Sequence, residues 1–295
     1  MFRPTGKRGI YALEGADIFN LLCLPTFTTS DTNLLAAAAA YCKQRRAVLI
    51  VDAPVSGDAW GSAGGARGDF LAGGFPGIRS NSAALYYPRV KYANPLKNGL
   101  VEEFPPCGMI AGLFAQTDAG RGVWKAPAGV EAALTGVQEL AVTLSDGDNG
   151  LLNPVGINCL RSFPAVGRVI WGARTLAGSD QSADDYKYVP VRRLALFIEE
   201  SLYRGTQWAA FEPNDEPLWA QLRLDIGTFM NGLFRQGAFQ GSTAGQAYLI
   251  KCDGETTTQA DINNGVVNVL VGFAPLKPAE FIVLQIQQLA GQSAT

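Results

Sequence analysis

The 295-residue chain contains no histidine. That absence removes the usual general base at neutral pH and the commonest metal ligand. A serine triad needs such a base beside its nucleophile, and Cys–His chemistry needs it too, so neither can be assembled here. A Ser–Lys pair or two carboxylates would remain, with Asp17, Asp52 or Glu212 as candidates, but no spacing singles out a pair. Cysteine is sparse: Cys23, Cys42, Cys107, Cys159 and Cys252 are odd in number and widely spaced, with no CxxC. Buried free thiols are expected, with no zinc site, no redox pair and no cofactor.

Long apolar runs are lacking as well. None reaches the roughly 18 residues of a membrane span, and the longest candidate, Leu34–Tyr41, is short and alanine-rich. Glu14 and Gly15 interrupt the segment after the basic Met1–Gly9 stretch, so no signal peptide is read there. Membrane insertion is therefore not expected, and the chain is expected to be made in the cytoplasm. Charge is low at 17%, net charge is -2, and no basic run is present. Direct nucleic-acid binding, which needs clustered Lys and Arg to replace counterions, is disfavoured.

What is present is apolar: 47% hydrophobic residues and 34 glycines. A subunit covered by its neighbours would have this composition, and so would an enzyme with a large core. Ile10–Leu13 and Phe19–Leu24 read as short strands, Thr32–Arg45 as a helix capped by Asp31, and Ala47–Val51 as a strand buried on both faces. This order predicts a parallel α/β unit. Asp52–Gly77 reads as a glycine-rich surface loop; it lacks the GK[ST] ending of a P-loop. Arg67-Gly-Asp69 within it is a chance-level tripeptide. Ala84–Tyr92 reads as one strand and Phe104–Ala119 as a helix, while Gly156–Leu160 and Arg168–Trp171 read as paired strands. Asp146-Gly-Asp-Asn-Gly opens like a calcium loop, but Ile157 stands where the bidentate glutamate belongs, so a capped turn is expected.

The polar Gly178–Tyr186 stretch reads as a boundary, giving expected domains over 1–185 and 186–295. Beyond it, Val189–Arg204 forms an amphipathic helix with Pro190 in its first turn. Its charges run against the helix dipole, with Arg192 and Arg193 at the positive end and Glu199 and Glu200 towards the negative one. Either the face is solvated, or these four meet opposite charges on a neighbouring subunit. Trp208–Phe211 reads as a short strand, and a long helix capped by Asn214 or Asp215 runs to Gln236. Ala247–Cys252 and Val266–Phe273 follow as strands, and Ala274-Pro-Leu-Lys-Pro leads to a last one, Glu280–Leu289. That strand turns Gln-rich, which suits pairing beyond its own core.

Several stretches of this second half resemble the C-terminal domain of contractile tail sheath proteins. They are Val189-Pro-Val-Arg-Arg-Leu, Ile198-Glu-Glu-Ser-Leu, Trp208-Ala-Ala-Phe-Glu-Pro-Asn-Asp, Cys252-Asp-Gly-Glu-Thr-Thr-Thr-Gln, Val271-Gly-Phe-Ala-Pro-Leu-Lys-Pro-Ala-Glu-Phe and Ile286-Gln-Gln. The match runs in order over roughly a hundred residues, far longer than a short motif. Thr5–Pro25 and Val48–Pro54 are similar to the same family's central domain.

The resemblance implies an α/β (α+β) fold: a central subtilisin-like α/β domain, then a C-terminal sheath domain of helices packed on a mostly antiparallel sheet. It implies a sleeve subunit of a phage tail or pyocin-like injection particle, with no enzyme activity; the alternatives are an α/β hydrolase-like enzyme and a baseplate or scaffold protein sharing the sheath domain. The implied partners are neighbouring sheath subunits, the tail tube protein, and baseplate and terminator proteins. Phe281, Ile282, Val283, Leu284, Gln285, Ile286 and Gln287 would be the donated inter-subunit strand, with Val266–Phe273 beside it and Pro275 and Pro278 as the hinge. Family members carry a longer region ahead of Gly9-Ile-Tyr-Ala-Leu-Glu, including a strand-forming arm. Monomers or small oligomers are therefore expected of this chain alone.

Overall fold

The computed structural model describes residues 8–25, 31–182 and 184–280. Its first layer is a five-stranded sheet. A 3₁₀ turn, Gly9–Gly15, precedes β1 (Leu21–Cys23), α1 (Thr32–Gln44), β2 (Val48–Asp52), α2 (Ala63–Leu71) and β3 (Ala83–Tyr87). A three-stranded excursion follows: β4 (Val90–Asn94), β5 (Leu100–Phe104), then α3 (Cys107–Arg121) and β6 (Glu139–Leu140). The chain then returns through α4 (Asp146–Leu152) to β7 (Ile157–Phe163) and β8 (Gly167–Trp171). Strand order is β1-β2-β3-β7-β8, parallel except for the last pair.

Side chains alternate across this sheet and both faces are covered. Leu49, Val51, Leu85, Tyr87, Ile157 and Cys159 pack with Leu35, Cys42, Phe70 and Leu152 on one side. Ile50, Ala84, Tyr86 and Leu160 meet Ile110 and Phe114 of α3 on the other. A strand buried on both faces must be apolar at every position, which is why Val48–Val51 reads as an uninterrupted run.

The second half packs helices on a ribbon. It comprises α5 (Val189–Gly205), α6 (Glu216–Arg235), a short α7 (Ala244–Ala247), β9 (Tyr248–Lys251), α8 (Gln259–Asn263) and β10 (Leu270–Phe273). Asp215 caps α6 by accepting from the Leu218 N–H, and Pro217 sits in its first turn. Leu194 and Ile198 of α5 and Ile226, Met230 and Leu233 of α6 close over Tyr248, Ile250, Val271 and Phe273 of the antiparallel β9–β10 pair. The α/β layer followed by helices on an antiparallel sheet is the fold class the sequence indicates.

Several local expectations change. Ile10–Leu13 is 3₁₀ helix and not strand; Ile10 and Leu13 lie three apart, one turn of such a helix, and both rest on the first core cluster. The supposed loop after β2 contains α2, capped by Ser62 and burying Ala63, Ala66 and Phe70. Its Gly65 is required, because a Cβ there would lie 2.2 Å from the Ala59 carbonyl oxygen. Asp69 of the tripeptide faces inward and accepts from Trp60 Nε1 and the Phe75 N–H, each at 2.9 Å. The single strand expected over Ala84–Tyr92 splits at Pro88, which has no N–H to continue a ladder. Trp208–Phe211 is a 3₁₀ turn, Gln207–Ala209, followed by Phe211 at φ 72 and fully exposed at 106%. No partner strand lies beside it among the described residues.

Candidate functional site

The ribbon of β9 and β10 pairs Leu270 with Lys251 through to Phe273 with Tyr248. Among the described residues no third strand joins it. Two strands alone are marginal in water, and here one face rests on α5 and α6 while Leu249 and Leu270 point outward and exposed.

Past β10 the chain does not swing free. The Ala274 N–H donates to the Ala247 carbonyl at 2.8 Å, the Gln240 N–H donates to the Ala274 carbonyl at 2.9 Å, and Pro275 forms a bridge with Phe239. Residues 276–280 then cross to the first layer. They roof a cavity of about 670 Å³ whose walls include Trp124, Trp171, Asn153 and Gln236.

The crossing ends at Glu280. Its Oε1 accepts from Arg174 Nε at 2.8 Å and its Oε2 from Arg174 Nη2 at 2.5 Å. The Tyr188 hydroxyl donates to Oε2 at 3.2 Å and Asn153 Nδ2 to Oε1 at 3.3 Å. Arg174 is 1% exposed, and its remaining nitrogen, Nη1, meets Asp180 at 2.9 Å and the Gly178 carbonyl at 3.3 Å. A buried guanidinium must be paired, and the planar fork fixes both the position and the angle of the carboxylate. Burial alone would lower the Arg174 pKa, but the Glu280 bonds and charge, with Asp180, hold it above its ordinary value. Burial, reinforced by the Glu280 charge, raises that of Tyr188.

Arg174 is itself fixed from behind. The buried Asn158 side chain accepts from the Arg174 N–H at 2.6 Å and donates to the Arg174 and Leu85 carbonyls at 2.7 and 3.1 Å. Gly172 makes room for this: a Cβ there would stand 2.9 Å from the Asn158 Cα.

The four helix charges all find partners within the chain. Arg193 forks onto Asp118 of α3 at 2.7 and 2.5 Å and lies 5.1 Å from the Phe114 ring. Arg192 stacks on Tyr186 at 4.7 Å and meets Glu199 at 3.5 Å. Glu199 and Glu200 both face Arg46, at 3.8 and 2.8 Å, and Glu200 also takes Arg204, which reaches Asp17. Burial pushes Glu200 up, but its two arginines outweigh that and hold its pKa below the ordinary value. Arg192 and Arg193 are therefore buried rather than solvated. Phe281–Gln287, the expected donated strand, lie outside the described residues. Pro275 belongs to the first attachment and Pro278 lies between the two. Arg174, Tyr188 and Asn153 went unnoticed in the sequence. The one available signal was Glu280, the only carboxylate between Ala274 and Leu289.

A second polar cluster sits at the sheet's C-terminal edge. Asp52 Oδ1 accepts from the Cys107 N–H at 2.7 Å, capping α3 from a buried position. Burial raises the Asp52 pKa to about 6, offset in part by Cys107 and Arg89. Among the described residues no group of three or more Cys, Asp or Glu side chains is placed to hold a metal.

Two family models match the chain in order. The phage tail sheath protein central domain covers residues 7–176, and the phage tail sheath C-terminal domain covers 181–288. The tail sheath protein of Vibrio phage KVP40 is 28% identical over 209 residues, 70% of this chain but 29% of that protein. The chain thus spans less than a third of that relative. Among solved structures, a chain of the anti-feeding prophage baseplate is 34% identical, with a TM-score of 0.78, covering 94% of this chain and 70% of that one. A chain of the PVC sheath complex, an extracellular contractile injection system in the contracted state, is 32% identical, with a TM-score of 0.78 and coverage of 94% and 72%.

Proposed function

This chain belongs to the phage tail sheath family, and from that premise we propose that it is a structural subunit of a contractile sleeve. Copies of it polymerise around a tail tube, and contraction of the sleeve drives the tube through a target envelope. The role is mechanical and not catalytic. The assembled particle is a phage tail or an injection system built in a bacterial host's cytoplasm, with tube, baseplate and terminator proteins as further partners.

The observation that carries this reading is the β9–β10 ribbon together with the chain that leaves it. The ribbon has only two described strands, and the chain runs from it to Glu280 at the head of the alternating Phe281–Gln287 segment. A strand donated to a neighbour's ribbon is held by main-chain hydrogen bonds, which tolerate large rotation of the bodies they join. Contraction is then a rigid-body shift between an extended and a compact lattice, with burial between subunits supplying the difference and no nucleotide required.

The test is co-expression with the cognate tube protein of the chain joined behind a family member's N-terminal arm region, followed by negative-stain microscopy. Striated sleeves are expected when the chain runs to Thr295, and none when it ends at Glu280. Sleeves of normal length and yield from the shortened chain would overturn the reading.

A further inference from the structure

The expected hinge at Pro275 and Pro278 implies a segment that swings from the end of β10. The described structure holds that stretch at both ends. At one end, Ala274 and Pro275 are bonded to residues 239, 240 and 247. At the other, Glu280 accepts four hydrogen bonds, two of them from a buried arginine. The Glu280 side chain is only 14% exposed, and its arginine is fixed in turn by the buried Asn158. Pro275 at the first anchor and Pro278 between the two leave little backbone freedom to rotate.

We propose that the Arg174–Glu280 pair is a positioning clamp. It sets the point and the direction at which residues 281–295 leave the body towards a second copy of this chain. The strap that ends at Glu280 is therefore not the swivel between subunits, and its prolines stiffen it. This inference rests on the sheath reading above.

The physical consequence is one of reach. With the clamp closed, the strap adds nothing to the length that must reach the neighbour's ribbon. With it open, the tether lengthens by the strap, up to ~20 Å for six extended residues. Doubling a flexible tether lowers the effective concentration of its end ~3-fold, since that falls roughly as the −3/2 power of length. The clamp thus raises the local concentration of the terminal segment where it must pair, and aims it.

The test compares five versions of the 295-residue chain, wild type, Glu280→Gln, Glu280→Ala, Tyr188→Phe and the double variant Pro275→Ala/Pro278→Ala, with a chain ending at Glu280. Nitrogen-15 relaxation of the unassembled proteins reads the strap. Backbone order parameters at residues 276, 277, 279 and 280 are expected to match the core in wild type and in the proline variant, and to fall below about 0.6 in both Glu280 variants, with the core unchanged. Tyr188→Phe, which removes a single donor, gives an intermediate result and covers the case in which a Glu280 variant fails to fold. Sleeve formation with the tube protein reads the consequence: the Glu280 variants need ~3-fold or more higher concentration, and the proline variant stays within twofold of wild type. If the Glu280 variants assemble at the wild-type concentration while the chain ending at Glu280 does not, the clamp is wrong and the sheath reading stands. If the chain ending at Glu280 assembles normally, the sheath reading itself has failed.

Discussion

Arg193 and Asp118 lie 75 residues apart, yet two parallel hydrogen bonds of 2.7 and 2.5 Å join them. This fork fastens α5 to α3, and so the helical half of the chain to the sheet. Arg193 is 6% exposed, whereas Asp118 is about a third exposed. The two ends of the bond are therefore unequal. Asp118→Leu leaves a buried cation without its counter-charge and is expected to cost about 3 kcal/mol. Arg193→Met replaces the cation by an apolar chain of similar length and returns Asp118 to water, at a cost of about 1 kcal/mol. Urea unfolding of the two variants checks the order, and a larger loss for Arg193→Met contradicts it.

Asp52 gives the protein an inverted pH response at one site. Its folded pKa of about 6 lies above the ordinary 3.8, so the unfolded chain releases the proton first. The resulting penalty is absent at low pH, grows from about pH 4, and levels off above about pH 6. Asp52→Asn keeps an acceptor for the Cys107 N–H and removes the charge. The stability of the variant relative to wild type is expected to improve by about 2 kcal/mol between pH 4.5 and 7.5. Parallel unfolding curves at the two pH values measure it, and a difference that stays constant with pH assigns the titration elsewhere.

Phe211 combines full exposure with φ 72, a conformation that is costly for a bulky residue. Among the described residues nothing repays that cost. Phe211→Gly is expected to leave the soluble protein as stable as wild type, or more stable by up to about 1 kcal/mol, while reducing sleeve yield with the tube protein. Unchanged assembly would remove Phe211 from the contact between copies.

Gly172→Ala is expected to destabilise by at least about 2 kcal/mol, because its methyl group would press on the Asn158 backbone. The damage should spread to the strap, since Asn158 holds Arg174. Lowered backbone order parameters at residues 276, 277, 279 and 280 in this variant are the specific sign. A stability loss with the strap still rigid would uncouple Asn158 from the clamp.

The sequence alone determined the elements whose signals are local. Val48–Val51 must be apolar throughout because its strand is covered on both faces, and Asp31 and Asp215 announce α1 and α6 because a cap acts within three residues. The family resemblance was likewise readable from contiguous motifs. Helix α2 hid behind its glycines, whose need becomes visible only when Ala59 is placed against Gly65. The charges of α5 looked surplus because their partners Asp118, Arg46 and Asp17 come from other parts of the chain. Tertiary structure alone decided that Arg174, a lone arginine at the end of the sheet, meets Glu280, 106 residues later. Glu280 has no local partner that spacing could reveal, and the nearby partner of Arg174, Asp180, gives no sign of the distant one. Burial makes their pairing obligatory, and burial is set by how the whole chain packs.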